Sequence, residues 1–228
     1  MAITLDRGKN GTYVVTGACI DIEMMVLGPI QNNTYLLSDG TALICVDPAD
    51  NLSQILRAIG DRKLDAIFVT HHHADHVGAL KELHDATQAP VYASAIDAPL
   101  IEKRIGDDPG MTADSCPVDF KLKDKEMVTI GMMEWKVMIT PGHTHGGICF
   151  YLDSQYGMRI EDFNVLVSGD TLFAGSIGRT DFEGGDDRAM RQSLKRLSQL
   201  PDDTLVLPGH NSLTTIGMEQ NRVFRFFI

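Results

Sequence analysis

The stretch Thr70-His71-His72-His73-Ala74-Asp75-His76 decides how the rest of this chain is read. Four metal-capable side chains, His71, His73, Asp75 and His76, fall within six residues. The residues before them, Leu64-Asp65-Ala66-Ile67-Phe68-Val69, are mostly apolar and read as a buried strand. Imidazoles crowded at a strand end repel one another whenever they protonate, and a bound cation removes that cost by taking their lone pairs. An expression tag would sit at a terminus without the interposed Asp. The bland alternative is a solvated loop that happens to be His-rich. The density of donors favours a metal site.

Three further segments end apolar strands in sharp turns. Ile139-Thr140-Pro141-Gly142-His143 presents His143, Leu166-Val167-Ser168-Gly169-Asp170 presents Asp170, and Leu205-Val206-Leu207-Pro208-Gly209-His210 presents His210. Glycine before each polar residue lets the backbone turn tightly beside a ligand. One such turn would be weak evidence. Three, together with the cluster, make a constellation.

That constellation, HxHxDH followed by His143, Asp170 and His210, resembles the metallo-β-lactamase superfamily. Gly169-Asp170-Thr171-Leu172-Phe173, Gly178-Arg179-Thr180-Asp181-Phe182 and Leu207-Pro208-Gly209-His210-Asn211 resemble its single-domain, glyoxalase II-like hydrolases. So do Thr214-Thr215-Ile216-Gly217 with Glu219, and the early Gly28-Pro29-Ile30-Gln31 and Val46-Asp47-Pro48. The resemblance covers nearly the whole chain. It implies an α+β fold, the αββα sandwich: two mixed sheets face to face, helices on both outer faces, and metals at one edge between the sheets. It also implies that His71, His73 and His143 hold a first metal and Asp75, His76 and His210 a second. Asp170 would bridge them, Asp75 and Asp170 would be the carboxylates on which catalysis depends, and Asp47 would orient the ligand loop from behind.

The ligand chemistry agrees with that division. Three terminal ligands per ion and one shared carboxylate leave room for a bridging water and for substrate. Two ions about 3.5–4 Å apart can acidify that water and polarise a carbonyl. Nitrogen and carboxylate ligands without thiolate suit zinc, the first expectation, and also iron or manganese.

Two enzymatic readings follow from the resemblance. In the first, a metal-bridging hydroxide cleaves a thioester such as S-lactoylglutathione, with one metal stabilising the developing oxyanion. In the second, a mononuclear iron persulfide dioxygenase uses His71, His143 and Asp170 as a facial triad. Two-domain glyoxalase II enzymes add a helical domain that helps to hold glutathione, and only 18 residues follow His210 here. Where those enzymes place a glutathione-contacting Lys, this chain has Arg179, which could hold a substrate carboxylate. Where they place a Tyr it has Asp181, which could not at neutral pH. His145 is a candidate substrate contact. A β-lactamase of the commonest dizinc kind would have Cys at position 170, and the flavodiiron branch would have Glu at position 73. A non-catalytic metal-binding protein is disfavoured by the intact ligand set.

The remaining candidates read more plainly. His72, between ligands, should point away into packing or solvent. His84 should be on a helix surface. Asp181 faces the pocket or caps a turn. Cys45 and Cys149 lie in apolar runs and pack as small hydrophobes, and with Cys19 and Cys116 they form no CxxC pair.

The chain has 228 residues, 43% of them hydrophobic, enough for one sizeable domain over residues 1–228. Twenty Lys and Arg against 31 Asp and Glu give a net charge of −11, which disfavours nucleic-acid binding. No apolar run reaches the roughly 18 residues of a membrane span, and the amino terminus lacks a signal pattern, so the expected location is cytoplasmic. Oligomeric state is not legible.

Alternation predicts strands at 22–27, 33–37, 42–46, 64–69, 91–93, 127–130, 135–139, 148–152, 165–167 and 204–207. Helices are expected after Asn51 up to Gly60, and at 77–86, 98–105 and 188–200. Residues 106–125, with Pro109 and Pro117, read as a long loop, either a lid or plain surface. The aromatic tail Phe224-Arg225-Phe226-Phe227 would pack on the core or form an oligomer contact.

Overall fold

The computed structural model describes residues 4–9, 11–16, 20–103, 105–106, 112–153 and 164–228. Cys19 and residues 107–111 of the expected loop lie outside them.

A first sheet opens with β1 (Thr4–Arg7), β2 (Tyr13–Thr16), β3 (Asp21–Leu27), β4 (Asn32–Ser38) and β5 (Leu43–Val46), paired antiparallel in sequence order. Helix α1 (Leu52–Ile59) then crosses over to β6 (Ala66–Phe68), which pairs parallel to β5. Asn51 caps α1 by accepting the Gln54 N–H, and Gly60 ends it at φ 62°, as the sequence suggests.

The chain continues through α2 (Ala74–Val77), α3 (Leu80–Thr87), β7 (Val91–Ser94) and α4 (Ala98–Ile101). The helix expected at 77–86 corresponds to α3, which begins at Leu80 and is set off from the short α2 by Ala79 at φ −101°. A Cβ on Gly78 would fall 2.3 Å from the Ala49 carbonyl oxygen, so the loop behind β5 and the end of α2 lie in direct contact. The helix expected to reach 105 ends at Ile101. A small pair, β8 (Ile105–Gly106) with β9 (Thr112–Ala113), and then β10 (Phe120–Leu122) follow. The expectation of a long loop fails for this part. β10 joins the first sheet parallel to β7, and the Phe120 ring stacks on Tyr92 at 4.4 Å. Cross-strand partners distant in sequence override the local loop composition.

The second sheet runs β11 (Met127–Ile130), β12 (Met133–Ile139), β13 (Ile148–Leu152), β14 (Val165–Gly169), β15 (Leu205–Pro208) and β16 (Thr214–Thr215). Only β14 and β15 pair parallel, joined by α5 (Asp187–Leu197). The tail forms α6 (Ile216–Glu219), a π-helical turn (Gln220–Phe224) and α7 (Arg225–Phe227).

Strand alternation builds the layers. Ile22, Tyr35, Ile44 and Phe68 face Trp135, Phe150, Val167 and Leu207 across the sheet interface. Phe68 stacks on Phe150 with ring centroids 4.3 Å apart and meets Trp135 edge-on. Burying each such ring stabilises the fold by about 1.5–3 kcal/mol. The other face of the first sheet packs Leu36, Cys45, Ile67 and Val69 on Ile55, Leu80 and Leu83 of the helices. The outer face of the second packs Cys149, Leu166 and Val206 on Met190, Leu194 and Val223. The order of layers is α, β, β, α, the expected sandwich. Val223 and Phe224 are buried in the last layer, so the tail packs on the core, while Phe226 is exposed.

Candidate metal centre

The seven expected ligands come together at one edge of the sandwich. His71 and His73 leave the end of β6, Asp75 and His76 occupy α2, and His143, Asp170 and His210 follow β12, β14 and β15. Their ligand atoms form three overlapping groups: His71, His73 and His143; His71, His76 and Asp170; and Asp75, His76 and His210. Within each group the atoms lie within 4.8 Å of one another.

Backbone geometry makes this convergence possible. Gly169 sits at φ 48°, and a Cβ there would fall 2.6 Å from Thr70 Oγ1. At Gly209 a Cβ would lie 2.3 Å from Asp170 Oδ1 and 2.6 Å from His76 Cε1. The turns of β14 and β15 therefore close on the β6 loop only because these positions carry no side chain.

Hydrogen bonds fix the tautomers of three rings. His76 Nδ1 lies 2.9 Å from Asp47 Oδ2 and donates to it. Asp47 also accepts the Thr70 N–H at 2.8 Å and the Thr70 hydroxyl at 2.7 Å. With its proton committed to Asp47, Thr70 Oγ1 accepts from His71 Nδ1 at 3.0 Å. His143 Nδ1 donates to the Arg179 carbonyl at 2.7 Å. Each of these rings thus turns its Nε2 atom inward. Asp47 lies behind the ligand loop, bonded to both Thr70 and His76.

The inward atoms lack partners of their own. His71 Nε2, His76 Nε2 and Asp170 Oδ1 are buried without a hydrogen bond. His76 Nε2 lies 3.3 Å from Asp170 Oδ1 and 3.4 Å from Asp75 Oδ2, close enough for charge attraction without hydrogen-bond alignment. His73 Nδ1 and His143 Nε2 face each other at 2.9 Å, an approach that needs a proton or a cation between them. His210 Nε2 lies 3.1 Å from Asp75 Oδ2 and 3.7 Å from Asp170 Oδ2. Orphaned buried acceptors are rare and call for an explanation. A divalent cation coordinated by nitrogen and carboxylate oxygen fits this donor set.

The electrostatics divide the site. Burial, then the imidazoles of His76, His73 and His143, hold His71 well below the usual histidine range. Burial and His143 push His73 down to about 3. Burial alone would also depress His76, but Asp170, Asp75 and Asp47 outweigh it and raise that ring well above 6.5. In Asp75 and Asp170, burial opposes ionisation, yet His76 and the other nearby imidazoles outweigh it and keep both carboxyls low. His71 and His73 are thus poised as neutral imidazoles, while His76 is held as a cation among Asp47, Asp75 and Asp170.

The candidate substrate contacts lie at the rim. Arg179 holds Asp181 in a two-pronged contact at 2.9 and 2.8 Å, and its guanidinium sits 4.0 Å from the centre of the Phe182 ring. Asp181 is therefore Arg179's partner rather than a turn cap. His145 is exposed beside Gly184. His84 is only partly exposed and lies 3.0 Å, through Nδ1, from the Ala89 carbonyl.

Other residues at the site escaped the sequence reading. Phe182 meets His73 and His143 edge-on at 5.9 and 6.3 Å, and Phe173 meets His210 at 5.9 Å. Both stand in the motifs quoted above, yet an aromatic in a loop carries no signal of which ring it will wall. His72 points away from the ligands, as expected, but into a buried contact with Asp97. Cys149 is buried among the hydroxyls of Thr140 and Thr171, with its thiol pushed up to about 11 by burial, and is a core residue.

A two-sheet sandwich flanked by helices, with a His/Asp cluster at the strand ends, defines a class of metal-dependent hydrolase folds. The chain belongs to the Metallo-beta-lactamase superfamily, whose pattern matches residues 27–210. It is 32% identical over 205 residues to the probable metallo-hydrolase YqgX of Bacillus subtilis, covering 87% of this chain and 93% of that one. It is 35% identical over 193 residues to a hydroxyacylglutathione hydrolase of Cereibacter sphaeroides, covering 83% of this chain and 66% of the longer relative. Among solved structures, the BLEG-1 B3 metallo-beta-lactamase superposes with a TM-score of 0.78 at 32% identity, over 89% of this chain and 98% of that one. TTHA1623 in a di-iron-bound form gives 0.73 at 35% identity, over 87% and 97%. No helix among the described residues is long and apolar enough to cross a membrane.

Proposed function

We propose that this chain is a dinuclear metallohydrolase that cleaves a thioester such as S-lactoylglutathione. The observation that carries the reading is that His71 Nε2, His76 Nε2 and Asp170 Oδ1 are buried without a hydrogen bond, and that His71, His76 and Asp170 bring ligand atoms within 4.8 Å of one another beside four further donors. His71, His73 and His143 would hold one ion, Asp75, His76 and His210 the other, and Asp170 both. Two divalent ions there supply a water acidified toward neutrality and Lewis-acid polarisation of a carbonyl. Asp47 keeps His76 Nε2 aimed inward by holding the far side of the ring. Phe182 and Phe173 give the site an apolar wall that suits an acyl chain. Arg179 brings a cation to the rim for a substrate carboxylate. The likeness to a hydroxyacylglutathione hydrolase supports the thioester class.

The test is hydrolysis of S-D-lactoylglutathione by metal-replete protein without oxygen, with a β-lactam arm because of the likeness to a B3 metallo-beta-lactamase. Thioester turnover is the expected result. Protein that holds two metals and hydrolyses no thioester offered would refute the reading. The similarity to a di-iron protein keeps iron in play, and with it the second reading, a mononuclear iron dioxygenase acting on a persulfide through His71, His143 and Asp170. Oxygen uptake with glutathione persulfide at one iron per chain would decide for that activity.

A further inference from the structure

We infer that Asp97 is a positioning residue that sets the affinity of the first metal group, the counterpart for His71, His73 and His143 of what Asp47 is for His76. The inference rests on the metal-binding reading above and extends it to a residue outside the ligand set.

Asp97 is 1% exposed, yet it carries a carboxylate. It occupies the N-cap position of α4, where an Asp side chain ordinarily accepts one of the helix's free N–H groups. Here it accepts none of them. Leu100 and Ile101 donate to the Asp97 main-chain carbonyl instead, at 2.9 and 3.1 Å. The carboxylate is turned away from its own helix toward the ligand loops.

There a single oxygen, Oδ2, gathers both. It accepts the His72 N–H at 3.2 Å, the His72 Nδ1–H at 2.9 Å and the Thr144 hydroxyl at 3.0 Å. His72 is the residue between His71 and His73, and Thr144 is the residue after His143. All three ligands of the first group therefore adjoin residues that one buried atom ties together. The second oxygen packs against the same turn, since a Cβ on Gly146 would fall 2.3 Å from Asp97 Oδ1. Ser94 Oγ fixes the other side by accepting the Asp97 N–H at 3.1 Å. The Thr144 contact joins segments 47 residues apart in sequence, which fold otherwise into different sheets. A carboxylate that leaves its helix uncapped to join two metal loops behaves as an outer partner of a metal site, and removing such partners typically weakens metal binding by about 10–100-fold.

The experiment is a metal titration against a chromophoric chelator on wild type, Asp97→Asn, Asp97→Ala and Thr144→Val. Melting of the metal-free proteins is followed alongside. Wild type should take up two ions. Asp97→Ala should lose affinity for one ion by about 10–100-fold while holding the other near the wild-type value. Asp97→Asn should fall between them, and Thr144→Val should show a smaller loss of the same ion. If Asp97→Ala fails to fold, Asp97→Asn with unchanged metal-free melting carries the test. Variants that bind both ions as tightly as wild type overturn the inference alone. Equal weakening of both ions also overturns it, since that is a general structural effect. Wild type that takes up no metal overturns the metal reading itself, and the inference with it.

Discussion

The centre of the site and its rim, only a few ångströms apart, are built on different principles. At the centre, Asp47, Thr70 and His76 are nearly inaccessible, and each proton position is dictated by a named partner. At the rim, Arg179 and Asp181 hold each other with side chains 64% and 67% exposed. Buried charge must be satisfied or it destabilises the fold, so the centre tolerates little variation. An exposed ion pair contributes under about 1 kcal/mol and can be exchanged freely. The difference explains why the class of chemistry follows from the structure more firmly than the substrate does.

The sharpest way to break this contrast is Asp170→Ala. Asp170 Oδ1 lies 3.3 Å from His76 Nε2, and Oδ2 lies 3.5 Å from His143 Nε2. On the proposed assignment, removing it would take a ligand from both ions at once. Turnover should fall to background, and metal affinity should drop by more than the roughly 100-fold upper range for outer partners. A variant with near-normal activity and two bound metals would refute the bridging assignment.

Asp75→Ala cuts less deeply. Asp75 belongs to the group of His76 and His210 and makes its contacts there. Metal content should drop from two ions to one, and thioester hydrolysis should fall by about 100-fold. Persulfide-dependent oxygen uptake that survives this substitution would move the function to the mononuclear reading.

A pH series on chelator-treated protein sharpens the comparison within the centre. His73 is pushed from 6.5 to about 3, so the unfolded chain takes up a proton that the fold refuses. Stability from this residue is complete above about 6.5 and is lost as pH falls toward about 3. His76 works in the opposite sense. Its raised value gives stability that is present below 6.5 and lost as pH rises through the folded value. His73→Gln should therefore flatten the acid side of the melting-temperature curve. His76→Gln should remove stability preferentially on the acid side. Identical acid slopes in wild type and His73→Gln would show that burial of His73 is not what the fold opposes with protons.

What the sequence disclosed follows the same division. Ligands on short turns after alternating apolar strands were legible because periodicity locates the strand end and glycine marks the turn, as at Gly169-Asp170 and Gly209-His210. Asp47 was legible only through resemblance, since nothing local announces that it meets Thr70 from 23 residues away. Asp97 was not legible, because an Asp before a short helix reads as an ordinary cap. β10 was missed for a similar reason. Phe120-Lys121-Leu122 is too short to show a period, and its strand state comes from pairing with β7. The helix expected at 77–86 starts only at Leu80, because Ala79 leaves helical geometry at φ −101° and ψ 6°.

The smallest effect belongs to the rim, and it tests whether the rim selects substrate. Asp181 now neutralises Arg179 from both prongs of the guanidinium, while Phe182 supports it from below at 4.0 Å. An anionic substrate must compete with Asp181 for that cation, whereas a neutral thioester need not. Asp181→Asn removes the competitor's charge and leaves the shape. KM for a glutathione thioester should fall by about 2–5-fold, the equivalent of up to roughly 1 kcal/mol, and salt should erode the gain. KM for an uncharged thioester should not move. Arg179→Ala should raise KM for the anionic substrate alone. In both variants the melting temperature should shift by no more than about 2–4 °C, because an exposed pair contributes so little to folding. Equal changes for charged and uncharged substrates would mean that the rim shapes access to the site without reading charge, and Arg179 would then act only through the main-chain carbonyl that holds His143.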